Sequence, residues 1–72
     1  MYYKVKKSGS NDFQIESISS KTKDVKKLAT DKITELHKNG FNGNGKWSIF
    51  LLDDSVNPYQ VKKFIGKLEL ST

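Results

Sequence analysis

The chain has 72 residues, 35% of them apolar and 11% aromatic. It is long enough for a single domain, residues 1–72, and too short to bury much more than about 60% of its unfolded surface. Its formal net charge is +5, every one of its thirteen basic residues is lysine, and it has no cysteine. This excludes a disulfide framework and a thiolate metal site. Without the bidentate arginine fork, sequence-specific DNA readout is also disfavoured.

Tyr2 to Lys7 alternates, with Tyr3 and Val5 on one side and Tyr2, Lys4 and Lys6 on the other, a strand pattern. Ser8 to Asp12 is dense in turn formers, and Phe13 to Ile18 alternates again with Phe13 and Ile15 on one face. The two segments predict an antiparallel hairpin with a five-residue loop. Val25, Leu28, Ala29, Ile33 and Leu36 then fall on one arc of an amphipathic helix. Thr22 is the expected N-cap, Asp24 a first-turn carboxylate, and Gly40 a left-handed residue after the last turn, with Phe41 folding back toward Leu36.

Lys46 to Asp53 is the strongest strand. Trp47, Ile49 and Leu51 face one side and Phe50 and Leu52 the other; a strand apolar on both sides belongs in the middle of its sheet. Farther on, Val61, Phe64, Ile65 and Leu68 fit helical spacing, with Asn57 and Pro58 as start signals. This predicts a short helix over 58–65 followed by a strand. The competing reading makes the same segment a hairpin partner of the central strand, with Phe64, Gly66, Leu68 and Leu70 on one face. The expected fold is α+β: a small antiparallel sheet packed on one main helix, in the order β-β-α-β-(short α)-β.

Gly40 to Lys46 matches the glycine spacing of a phosphate loop, but Trp47 stands where Ser or Thr must follow. The order helix, loop, strand is also the reverse of what that chemistry needs. The run reads as a helix stop joined to a turn, with an anion-binding nest of backbone amides beside Lys46 as the weaker alternative. His37 and Glu35 do not face each other on a helix, and Asp53-Asp54 lacks a third ligand. No catalytic, cofactor or metal site is therefore expected, and enzymatic activity is not anticipated. Lys32 falls within the apolar arc, where it must snorkel to water.

Two functional expectations follow. The first is an accessory or protein-interaction module, with an unknown protein partner or a second copy of itself as a homodimer, that uses a sheet edge or the second face of the central strand through Trp47, Phe50 and Leu52. The alternative is weak, sequence-independent nucleic-acid binding through Tyr2, Lys4, Lys6 and Lys46, in which aromatic rings stack bases and lysines follow the backbone. Neither a small-molecule substrate nor a membrane partner is expected. No apolar run nears the roughly 20 residues that span a bilayer, and Met1 to Lys7 is not the start of a secretory signal, so the expected location is cytoplasmic. The lysine-only, cysteine-free composition resembles that of small proteins from low-GC Gram-positive bacteria and their phages. That resemblance implies an origin in such a bacterium or in a phage or prophage of one, and carries no site residues.

Overall fold

A computed structural model describes residues 1–53, 55 and 60–71. Its elements are β1 (Tyr2–Lys7), β2 (Ile15–Ser19), α1 (Val25–Lys38), β3 (Gly45–Asp53) and β4 (Gln60–Leu70). The four strands form one antiparallel sheet in the order β2-β1-β3-β4, and α1 packs on one of its faces. The fold is α+β, and the doubly apolar β3 is central.

Strand register sorts the side chains into cross-strand rows. On the helix-covered face one row is Ile18, Tyr3, Leu51 and Lys63, the next Ile15, Val5, Ile49 and Gly66, and the next Lys7, Trp47 and Leu68. Val5, Ile15, Ile18, Trp47 and Ile49 bury against Ala29 and Ile33 of α1. Burying a large apolar side chain contributes about 1.5–3 kcal/mol, so this layer holds most of the stabilising area.

Both ends of α1 are specified by local chemistry. Its N-cap is Asp24, whose carboxylate accepts the Lys27 amide at 3.1 Å; the expected cap, Thr22, lies two residues too early. At the other end Asn39 is the C-cap and Gly40 takes φ +101°. The Gly40 amide donates to the His37 carbonyl and the Phe41 amide to the Leu36 carbonyl, which is the paired bonding of a Schellman motif.

Two elements differ from the sequence reading. β2 begins at Ile15, so Phe13 and Gln14 lie outside it. The Gln14 side chain instead accepts the Lys7 amide at 3.0 Å and replaces the next rung of the ladder. Freed from strand alternation, Phe13 meets Phe50 on the face opposite Ile15. The expected short helix is replaced over residues 60–65 by β4; residues 58 and 59 lie outside the described residues. The register of β4 against β3 slips twice, skipping Ile65 and Lys62. These bulges turn Val61 and Phe64 to one face and Ile65 and Leu68 to the other. Two bulged residues thus print a helix-like spacing on a strand.

Gly40→Ala should destabilise the chain by about 1 kcal/mol or more, because alanine resists positive φ. Lys46→Ala should leave stability within about 0.5 kcal/mol. Urea denaturation of both variants checks this contrast.

Candidate docking face

The site is assembled from the turn after α1 upward. Gly43 is buried, and a Cβ there would stand 3.0 Å from Ile33 Cγ2 and 3.2 Å from the Ile33 carbonyl oxygen. Only glycine lets the loop lie this close to the helix. Its amide donates to His37 Nδ1 at 3.1 Å, and its carbonyl accepts the Trp47 indole N–H at 2.9 Å. The Asn44 amide is taken by Asn42 Oδ1 at 3.1 Å, and Lys7 Nζ donates to the Asn42 carbonyl at 2.9 Å. The loop amides that an anion nest would need at Gly43 and Asn44 are therefore spent inside the protein.

Trp47 is completely buried on the helix side. Side chains alternate along a strand, so Lys46, Ser48, Phe50 and Leu52 point to the other face. No described helix packs on that face, although Ser48 and Leu52 on it are buried. Its rows run Ser19, Tyr2, Leu52, Val61; then Lys4, Phe50, Phe64; then Lys6, Ser48, Lys67; then Lys46, Glu69. The surface is graded. Large apolar groups gather at one end and most of the lysines at the other, with Lys4 in the row of Phe50 and Phe64.

The apolar end is a cluster of rings. Phe50 is half-buried between Phe13, 6.0 Å away and nearly perpendicular, and Phe64, 5.4 Å away at 58°. Lys6 Nζ lies 5.8 Å from the Phe13 centroid and 5.5 Å from that of Phe50, a cation–π contact to both. Around this cluster Phe64 is 48% exposed, Val61 55% and Tyr2 42%. Large exposed apolar patches are where proteins generally meet partners, which makes this cluster the candidate site.

Of the residues singled out from sequence, Tyr2, Lys4, Lys6 and Lys46 do share one face. Phe50 shares it with them. Trp47 belongs to the core, and Leu52, although on the outer face, is fully buried. Phe50 is thus the one member of the expected partner-binding trio that presents surface. Phe13, Phe64, Val61 and Lys67 were missed. The placement of Phe13, Phe64 and Val61 depends on an irregular loop and on two bulges, neither of which alternation reveals, whereas Lys67 lies in the regular part of β4.

Elsewhere the structure offers less chemistry. Asp53 Oδ1 accepts both the amide and the hydroxyl of Ser55, and Lys62 stands 3.8 Å from Oδ2. The Ser55 bonds, with a smaller contribution from Lys62, hold this carboxyl below its ordinary pKa. Its acceptor capacity serves the turn, and Asp54 lies outside the described residues. No cluster of metal-ligating side chains occurs among the described residues, and none of the described helices is long and apolar enough to cross a membrane. A cleft of about 260 Å³ between α1 and β2 is lined by Ile15, Leu36, Lys32, Glu16 and Glu35, among others; Lys32 reaches its rim as the sequence pattern requires. No protein-family model, curated protein or solved structure matches the chain.

Phe64→Ser should cost no more than about 1 kcal/mol, the worth of one aromatic pair on a half-exposed site. Trp47→Phe should cost about 1–3 kcal/mol, since it strips the donor from a buried carbonyl. The two midpoints in chemical denaturation should separate clearly.

Proposed function

We propose that this chain is a small accessory module that binds another protein through the outer face of its sheet. One observation carries the reading: a ring cluster of Phe13, Phe50 and Phe64, edged by exposed Val61 and Tyr2, stands on a face on which no described helix packs.

The face is a better candidate than either sheet edge. β2 is five residues long and its pairing with β1 slips between Tyr3 and Val5. β4 carries two bulges together with Lys62, Lys63 and Lys67. Short, bulged and lysine-bearing edges resist strand addition.

A second reading is favoured by the shared placement of Tyr2, Lys4, Lys6 and Lys46: single-stranded nucleic acid could lie along this face. Ring geometry weighs against it. Phe13 meets Phe50 edge-on at 83° and Phe64 is tilted to Phe50 by 58°, so the rings offer no common plane for successive bases to stack on.

Site-specific photo-crosslinking in the native host separates these readings. A crosslinker at position 64 should give discrete protein adducts, and one at position 31 on the exposed helix face should not. Equal adduct patterns from both positions would contradict the docking face. Nuclease-sensitive adducts from position 64 would establish the second reading, with affinity falling by roughly 0.7 log units per log unit of salt for each phosphate neutralised.

A further inference from the structure

We infer that the partner docked on this face is an acidic protein segment: one large apolar side chain with two or more carboxylates beyond it. The inference rests on the docking reading above and names the chemistry of its partner.

It starts from the gradient across the face. In β1 the sequence runs outward-facing Tyr2, Lys4, Lys6, and in β3 it runs Leu52, Phe50, Ser48, Lys46 in the antiparallel sense. In β4, Val61 and Phe64 give way to Lys67. Three neighbouring strands therefore change from apolar to cationic in the same direction. At about 3.3 Å per residue, the apolar and lysine ends are separated by roughly 7–13 Å. A ligand that fills the apolar end while placing anions at the other must carry its carboxylates at that distance.

Charge restricts the partner further. The lysines that register places on this face are Lys4, Lys6, Lys46 and Lys67, and the acid among those rows is Glu69, cross-strand from Lys46. Lys6 is already drawn over two phenyl rings, which positions its ammonium at the boundary between the two halves. A second copy of this chain would bring lysines against lysines at a net charge of +5 per copy, and such like-charge contact is unfavourable. A plain polyanion would satisfy the lysines and leave Phe64 and Val61 in water. An acidic segment with an apolar anchor satisfies both halves.

Selection of a random linear dodecapeptide library on the folded 72-residue chain tests this. The expected peptides carry net negative charge and at least one aromatic or long aliphatic residue. Their binding should shift the amide signals of residues 2–6 and 61–68, and should weaken at least tenfold when peptide Glu and Asp become Gln and Asn. The same loss is expected in Lys67→Glu and in Lys6→Glu, each confirmed folded by its amide spectrum. Peptides that shift this face without an acidic bias would overturn the inference and leave the docking reading standing. Peptides that instead shift the α1–β2 cleft would overturn both. Binding of oligo(dT) on the face with no peptide enriched, or no enrichment at all, would also overturn the acidic partner. The crosslinks at position 64 then decide whether the docking reading survives.

Discussion

The hydrogen bond from the Trp47 indole to the Gly43 carbonyl fixes more of this molecule than any other single contact. Gly43 lies against the Ile33 turn of α1 and gives its amide to His37, so its carbonyl is held at a set distance from the helix. Trp47, four residues on, must enter the core to reach it. Once Trp47 points inward, alternation settles every other side chain of β3. Ile49 joins the core, while Phe50 and Lys46 are committed to the outer face. A register slip of one residue would turn Lys46 toward the helix and expose the indole, an arrangement the buried Gly43 carbonyl penalises by leaving an acceptor unpaired.

From β3 the order spreads to both sides. β1 pairs along the full run from Tyr2 to Lys7 without interruption, so Lys4 and Lys6 fall on the same face as Lys46. β4 inherits the register only as far as Gly66, where the Ile65 bulge brings Phe64 around to meet Phe50. A regular β4 would have sent Phe64 to the helix side. The ring cluster on the open face therefore depends on an irregularity, as bulges that re-aim a side chain often do. The pairing also explains how a chain of this length tolerates so much apolar surface outside its core: Phe50 is covered in part by Phe13, Phe64 and Lys6, a thin second layer where no described helix packs.

How much of this could be read in advance differs by element. The helix was legible because its apolar arc, the Gly40 stop and the lysine near its end agree with one another, and only the cap residue moved, from Thr22 to Asp24. The centrality of β3 was legible from its two apolar faces. β4 was not, since a strand with two extra residues shows the spacing of a helix, and no local signal distinguishes them until a partner strand is known. For the candidate site, the shared face of Tyr2, Lys4, Lys6 and Lys46 followed from alternation and from the pairing of neighbours. The placement of Trp47 in the core did not, because a strand apolar on both faces leaves open which side the helix covers. The half that binds apolar groups, with Phe13 and Phe64, came from a loop residue and a bulge, which periodicity cannot see.

The inward commitment of Trp47 is the premise on which the docking face stands. Relaxation of the aromatic ring and indole proton signals by a soluble, neutral gadolinium chelate tests it directly. The Phe64 and Tyr2 ring protons should relax strongly, and the Trp47 indole N–H should be shielded as well as the Ile33 and Val5 methyl groups. Relaxation of the Trp47 indole comparable to that of Phe64 would contradict the account, since it would place the tryptophan on the open face and the lysine rows within the core.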